Sequence, residues 1–129
     1  MEIREATIND VRRVSYLINK STSKNPNNYT RKQLTTWKKH NTPSKIKKQL
    51  NDRIIFCAFS NNRLIGTIGL KDNFVVGFYV SHTIRHQGIG SKLLQHTESY
   101  SLNKNINKLY LESTPSAIKF YKSKGFKLK

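Results

Sequence analysis

The fold of this 129-residue chain is decided by the stretch Arg85-His86-Gln87-Gly88-Ile89-Gly90-Ser91. It follows an apolar run over 74–80 that is typical of a strand, and it leads into the apolar spacing of a helix predicted over 88–102. Two glycines let backbone amides approach a ligand closely, and the unpaired N–H groups at a helix start favour phosphate oxygens. Arg85 adds positive charge. The stretch therefore predicts a phosphate-binding turn between a strand and a helix.

Two common phosphate-binding motifs are excluded by the residues that follow these glycines. A Walker loop requires Gly-Lys-Ser/Thr, which is absent, and Leu93 stands where the dinucleotide fingerprint has its third glycine. Taken alone, such a pattern is more often an ordinary glycine turn. Its position directly after a strand is what favours ligand binding.

The spacing of apolar residues outside this stretch predicts a mixed β-sheet covered by helices, an α/β domain in the broad sense. The length is typical of one domain over residues 1–129. In the first part of the chain we predict a strand over 2–6, a helix from a Thr7–Asp10 capping box to about Lys20, a loop over 21–29, and helical segments that begin at Thr30 and Thr42. Three strands are predicted next, over 53–60, 64–70 and 74–80, with a turn at Asn61-Asn62 between the first two. The helix over 88–102 is followed by a strand over 109–112, a helix over 115–124 and a strand over 126–128.

Composition excludes several classes of protein. The only cysteine, Cys57, rules out a disulfide framework and a thiolate zinc site, and in its apolar surroundings it is interpreted as a buried small hydrophobe. No apolar run reaches the ~18–20 residues of a membrane span, and the N-terminal residues do not form a signal peptide, so a cytoplasmic protein is expected. No metal is predicted, since metal-ligand spacing is absent around His40, His86 and His96.

The net charge of +17, from 24 Lys and Arg against 7 Asp and Glu, has two interpretations. A protein this basic attracts anionic partners such as nucleic acid. The alternative is a general bias toward lysine and asparagine. The lysines are spread from Lys20 to Lys129 instead of lying in one element with interleaved aromatic residues, as in a nucleic-acid binder. Compositional bias is favoured, and a nucleic-acid partner is left open but not favoured.

Four motifs together resemble those of the GNAT acetyltransferase superfamily, and they extend over nearly the whole chain. The glycine stretch resembles the acetyl-CoA-binding motif of that family, and residues 117–126 resemble its Ala-x-x-x-Tyr-x-x-x-Gly-Phe motif. Residues 3–10 are similar to the usual beginning of these domains. A feature of some bacterial members, Tyr-x-x-x-Gln-x-x-x-Trp, is matched by Tyr29, Gln33 and Trp37. The resemblance implies the GNAT-like acyl-CoA N-acyltransferase fold, a central mixed sheet flanked by helices.

The resemblance also implies where acetyl-CoA binds. Its pantetheine arm is expected between the fourth and fifth strands and its pyrophosphate on the glycine turn, with an amide near Val80 polarising the thioester carbonyl. Thr114 stands where family members often carry Asn. The residues implied to contact the cofactor are Phe78, Tyr79, Val80, Arg85, His86, Gln87, Gly88, Ile89, Gly90, Ser91 and Thr114.

Tyr121 matches the usual general acid of the family, which protonates the departing CoA thiolate. A phenol suits this role because its pKa of about 10 is close to that of a thiol. Packing beside Phe120 is the alternative interpretation. For the general base the sequence offers no carboxylate on the fourth strand, which leaves Glu112 on the fifth strand, His82 after the fourth strand, or an ordered water.

The function implied by the resemblance is transfer of an acetyl group from acetyl-CoA to a primary amine by direct attack in a ternary complex. The segment from Tyr29 to Leu50 is expected to select the acceptor, and Tyr29 and Trp37 are interpreted either as core residues or as lining of its pocket. The positive charge argues against a polycationic acceptor and is compatible with an amine on an anionic scaffold, including an RNA-linked one. A non-catalytic CoA-sensing or nucleic-acid-binding module on the same fold is the alternative.

The segment after the Gly-Phe motif is shorter than in the family, which has two closing strands there. The sequence stops at Phe126-Lys127-Leu128-Lys129, so the last strand is expected to be absent, or to be supplied by a partner chain, or the gene product is shortened. An unpaired sheet edge of this kind is a candidate site for the formation of a homodimer.

Overall fold

The computed structural model describes residues 1–23, 41–81 and 88–111. In chain order the elements are β1 (Glu2–Glu5), a short 3-10 helix (Ile8–Asp10), α1 (Val11–Ser23), α2 (Pro43–Gln49), β2 (Ile54–Ser60), β3 (Arg63–Lys71), β4 (Phe74–Val80), α3 (Ile89–Asn103) and β5 (Tyr110–Leu111). The segments predicted over 30–40, 115–124 and 126–128 lie outside the described residues.

The described strands form one five-stranded sheet in the order β1-β2-β3-β4-β5. The first four strands pair antiparallel with their neighbours, and β5 pairs parallel to β4. The predicted turn between β2 and β3 is confirmed, since Asn61 and Asn62 have φ of 51° and 64°. Two successive residues with positive φ form the turn that matches the twist of a hairpin, and asparagine tolerates that conformation. The predicted mixed sheet covered by helices is therefore confirmed.

The start of the first helical segment also follows the prediction. The backbone N–H of Thr7 donates to Asp10 Oδ2 at 2.8 Å, and the N–H of Asn9 donates to Thr7 Oγ1 at 3.3 Å, which completes the capping box. The predicted end was wrong, because α1 continues past Lys20 to Ser23, into the segment assigned to a loop. Serine and threonine lower helix propensity only slightly, and no glycine or proline interrupts the chain before Pro26.

The sheet separates two hydrophobic cores. Because side chains alternate along a strand, β2 sends Ile55, Cys57 and Phe59 to the face covered by α1 and α2, and Phe56 and Ala58 to the face covered by α3. The first face also buries Val14, Leu17, Ile18 and Ile46, and the second buries Ile65, Ile68, Ile89, Leu93 and Leu94. Both faces of the central strands are thus covered.

A β-bulge interrupts β4 at Gly77. Thr67 of β3 pairs with Tyr79 and Gly69 pairs with Val76, so that two residues of β4, Gly77 and Phe78, lie opposite one residue of β3. Gly77 has a φ of 71°, which glycine adopts without the strain that a side chain would bring. The extra residue shifts the alternation, so Tyr79 packs against the core under α1 and α2 while Phe78 and Val80 pack against the core under α3.

Candidate cofactor and acceptor sites

The glycine turn leads directly into α3. Gly88 caps this helix in the left-handed conformation, with φ 72° and ψ 16°, and no side chain caps it. Its carbonyl accepts the first helical hydrogen bond from the Lys92 N–H at 3.0 Å. Since the first N–H groups of a helix have no partner within it, the amides of Ile89, Gly90 and Ser91 lack a hydrogen bond from the helix itself. The start of α3 is the described part of the predicted phosphate-binding turn, and residues 85–87 lie outside the described residues.

The start of α3 lies close to the end of β4 because Gly66 has no side chain. A Cβ atom there would lie 2.8 Å from Leu93 Cδ1 and 3.2 Å from Ile89 Cγ2. Gly66 also pairs with Val80 across the sheet. The contact brings the end of β4 and the first turn of α3 together, so Phe78, Tyr79 and Val80 share one region with the residues 88–91.

Within the described residues, β4 pairs in parallel with β5 at the first two positions of β4. Phe74 pairs with Tyr110 and Val75 with Leu111, and in the described ranges β5 provides no pairing partner beyond Val75. The segment expected to contact pantetheine, residues 78–80, follows that point.

A cavity of about 270 Å³ lies on the other face of the sheet, between α1, α2 and the strands. Three residues of β4 line it, Val76, Gly77 and Tyr79, so the bulged segment is reached from this face as well. The other described residues of the lining are Val14, Ile18, Asn41, Gln49, Arg53, Ile55, Thr67 and Gly69. The wall is mainly apolar with a few polar groups, which is the usual composition of a small-molecule site.

Arg53, just before β2, is the charged residue among the described lining. Its Nε donates to Asp52 Oδ1 at 2.9 Å, and Lys71 Nζ lies 3.4 Å from the other oxygen of the same carboxylate. The hydrogen bond from Arg53, with the nearby charges of Arg53 and Lys71, holds the pKa of Asp52 below its usual value. One carboxylate is therefore shared between two cations.

Cys57 lies near this cavity, and its side chain is not exposed to solvent. Its side chain is fully buried, its Sγ is 4.0 Å from Thr67 Oγ1, and burial raises the pKa of the thiol to about 11. A thiol in this environment is a weak nucleophile because only the thiolate reacts. The interpretation of Cys57 as a buried hydrophobe is confirmed.

We therefore expect Cys57 to resist thiol reagents in the folded protein. With a pKa near 11, its thiolate fraction at pH 8 is about a thousandth, and burial blocks access as well. The rate of modification by 5,5′-dithiobis(2-nitrobenzoate), followed at 412 nm, should rise by at least about 100-fold when the protein is unfolded in guanidinium chloride. Equal rates with and without denaturant would contradict this burial.

Of the residues predicted to bind cofactor, the described ones lie in the two neighbouring segments already named, at the end of β4 and the start of α3. Outside the described residues lie Tyr29, Trp37, His82, Arg85, His86, Gln87, Glu112, Thr114 and Tyr121. Sequence analysis did not predict the cavity or the role of Arg53 in its wall. The one available signal was an Asp-Arg pair directly before a buried strand.

Two further properties concern the described ranges. None of their helices combines the length and apolar character that crossing a membrane requires. In the same parts of the chain, no three side chains of the types His, Cys, Asp or Glu gather as metal ligands.

The five-stranded mixed sheet covered by helices matches the fold of GNAT acyl-CoA N-acyltransferases. The family description "Acetyltransferase (GNAT) domain" matches residues 25–129, so the chain belongs to this family. A comparison with curated protein sequences finds no match.

Solved structures agree with this assignment. The chain is similar to PaiA N-acetyltransferase from Thermoplasma acidophilum in complex with coenzyme A, with 25% identity, a TM-score of 0.87 and coverage of 99% of this chain and 90% of that one. It has the fold of a predicted acetyltransferase with acetyl-CoA from Clostridium acetobutylicum (20% identity, TM-score 0.73, coverage 99% and 90%). A GCN5-related N-acetyltransferase from Ralstonia eutropha shares the fold as well, with 16% identity, a TM-score of 0.83 and coverage of 99% of this chain and 93% of that one.

Proposed function

We propose that the protein transfers the acetyl group of acetyl-CoA to a primary amine, by direct attack within a ternary complex on a single domain. One observation carries the proposal: the bulged end of β4 lies between the start of α3 on one side and a cavity of small-molecule size on the other. Such a strand can hold a thioester where an amine reaches it from the opposite face. The coenzyme A bound to the Thermoplasma relative supports the choice of cofactor.

In the proposed complex, acetyl-CoA supplies an acetyl group activated as a thioester. The backbone of Phe78 and Val80 pairs with pantetheine, and an amide near Val80 donates to the carbonyl oxygen. A fixed donor lowers the barrier because it meets the negative charge that develops on this oxygen. Arg85, the amides of residues 86–91 and Thr114 hold the remainder of the cofactor, mainly its pyrophosphate.

The reaction forms one N–C bond and breaks one C–S bond. The neutral amine attacks the carbonyl carbon, its surplus proton passes to Glu112, His82 or a water, and Tyr121 protonates the departing thiolate. Holding amine and thioester side by side removes much of the entropic barrier of a bimolecular step. We propose that the cavity on the α1 and α2 face receives the acceptor, with Tyr29 and Trp37 contributing from the segment that precedes α2.

The test is the substitution Tyr121→Phe. We expect kcat to fall by about 100-fold, the lower range for loss of a general acid, while the dissociation constant of acetyl-CoA stays within about twofold. Turnover is measured by release of free CoA and binding by calorimetry, with Tyr16→Phe, an exposed tyrosine on α1, as the matched control.

The same titrations separate catalysis from the other functions. Acetyl-CoA should bind the protein one to one and compete with free CoA. Its binding should persist at a salt concentration that abolishes the binding of an unrelated polyanion. If the wild-type protein binds acetyl-CoA but acetylates no amine in a broad screen, it is a CoA-binding module. Binding that any polyanion reproduces would overturn the proposed cofactor site.

A further inference from the structure

Arg53 is a cation in the wall of a mainly apolar cavity, and a hydrogen bond to Asp52 orients its side chain. Its side chain is only 20% exposed, and its Nε is bonded to Asp52. Among the described residues the guanidinium has no other hydrogen-bond partner, which leaves the two terminal Nη groups open to a ligand. A guanidinium fixed in this way presents paired donors whose spacing matches the two oxygens of a carboxylate or phosphate.

The ion pair with Asp52 compensates the charge of Arg53 only in part, because Lys71 pairs with the same carboxylate. Asp52 is shared with Lys71 and lies outside the cavity lining, and no acidic residue occurs among the described lining. Helix α2, which contributes Gln49 to the wall, carries Lys45, Lys47 and Lys48 on its exposed surface. An ammonium group would therefore be repelled here, whereas an anionic oxygen group would gain a charge-assisted hydrogen bond.

The distance between Arg53 and Tyr79 along the sheet limits the length of a molecule that contacts both residues. Tyr79 pairs with Thr67, which pairs with Cys57, four residues along the chain from Arg53. This separation is about 13 Å along the strand direction, and the Arg53 side chain spans part of it. A volume of about 270 Å³ lies near the lower end of the ~300–1,000 Å³ usual for ligand sites. The cavity fits a short molecule.

From this geometry we propose that the acceptor is a small primary amine carrying an anionic oxygen group, a carboxylate or a phosphate, which Arg53 binds at the end of the cavity away from Tyr79. This inference rests on the proposed function, since it assigns the acceptor of the same reaction. The acetylated nitrogen lies toward the bulge of β4, and the anionic group remains unchanged in the reaction. Arg53 acts as a specificity-determining residue that does not touch the reacting atoms.

The test compares four amines of similar length that differ in the far end: 4-aminobutanoate, 3-aminopropyl phosphate, butylamine and putrescine. We expect kcat/KM for the better of the two anionic amines to exceed that for butylamine by about 10- to 100-fold, the range for a hydrogen bond to a charged group, with putrescine last. The two anionic amines distinguish carboxylate from phosphate. Glycine, 3-aminopropanoate and 6-aminohexanoate then measure the preferred length.

Two substitutions connect the preference to Arg53. In Arg53→Gln the advantage of the anionic amines over butylamine should disappear, and in Arg53→Glu putrescine should become better than 4-aminobutanoate. Arg12→Glu is the matched control, because it makes the same change in charge on the exposed surface of α1, away from the cavity lining. It should keep the wild-type ranking. Thermal unfolding of each variant establishes that it is folded.

Direct titration of the same amines against the CoA-saturated protein, and against the free protein, separates this inference from the proposed function. A protein that turns over amines but prefers butylamine or putrescine overturns the inference and leaves the function standing. A protein that does not bind acetyl-CoA overturns the function, and binding of the anionic amines to the free protein still tests Arg53. Equal binding of all four amines, or acetylation of an amine only when it is linked to RNA, overturns the inference.

Discussion

Replacing Gly69 with alanine should lower the free energy of unfolding by about 3 kcal/mol or more, at the upper end of the usual cost of overpacking. A Cβ atom at this position of β3 would lie 2.3 Å from the carbonyl oxygen of Val76. Backbone cannot move aside as a flexible side chain can, so β4 would have to leave its place beside β3 at the bulge. The loss is measured by urea unfolding followed by circular dichroism.

Gly66→Ala is the comparison for this result. The added methyl group would meet side-chain ends, Leu93 Cδ1 at 2.8 Å and Ile89 Cγ2 at 3.2 Å, which can move by small rotations. We expect a loss of about 1–2 kcal/mol, clearly smaller than at Gly69. If both alanine variants unfold at the same urea concentration, close backbone contact is not what fixes glycine at position 69.

Asp10→Ala should destabilise the protein by about 2–4 kcal/mol, because it removes a buried carboxylate that several donors share. Asp10 is 1% exposed and accepts hydrogen bonds from Arg4 Nη1 at 2.9 Å, Arg4 Nη2 at 3.0 Å and Arg13 Nη2 at 3.2 Å, besides the capping bond from Thr7. Both arginines also lie over the ring of Phe59, at 4.4 and 5.2 Å from its centroid. The carboxylate thus ties β1 to the start of α1.

The same carboxylate should make the protein acid-sensitive within a defined range. The Arg4 hydrogen bonds, aided by the Thr7 backbone and opposed by burial, lower the pKa of Asp10 to about 2 from the usual 3.8. A lowered pKa in the folded state means that the stabilisation is complete above about pH 4 and is lost as the pH falls toward 2. Urea midpoints measured between pH 2 and 7 should therefore fall less steeply in Asp10→Ala than in the wild type.

Asp52→Ala serves as the control for the loss of stability expected in Asp10→Ala. Asp52 forms ion pairs as well, but its side chain is 46% exposed, and solvent-exposed ion pairs contribute little to stability, so we expect a much smaller loss than in Asp10→Ala. A loss at Asp52 as large as that at Asp10 would show that burial does not decide the contribution of these carboxylates.

Much of the fold could be predicted because the signals that determine it are local. The capping box at Thr7 and Asp10 is complete within four residues, and the Asn61-Asn62 turn needs only residues that tolerate positive φ. The end of α1 was missed, since a polar composition resembles a loop and the continuation of a helix depends on what it packs against. Local signals give the beginning of an element more reliably than its end.

The candidate site was predictable only where a motif lies in one continuous segment. The glycine turn is predicted from its own residues alone, whereas the bulge at Gly77 depends on the register with β3 and on Gly69, eight positions earlier in the chain. The cavity depends on α1, α2 and three strands at once, so Arg53 appeared in the sequence as one basic residue among 24. Properties that arise from several elements together cannot be derived from spacing alone.

The order of the strands has a consequence for how the molecule assembles. Strands β2, β3 and β4 are consecutive in the chain and adjacent in the sheet, so their contacts can form early, while β5 reaches β4 only after the whole of α3 has crossed the sheet. We expect the boundary between β4 and β5 to close late in folding and to open first in the native state. A cofactor bound between these two strands would hold them together. At a concentration one hundred times its dissociation constant, it would raise the free energy of unfolding by about 2.7 kcal/mol.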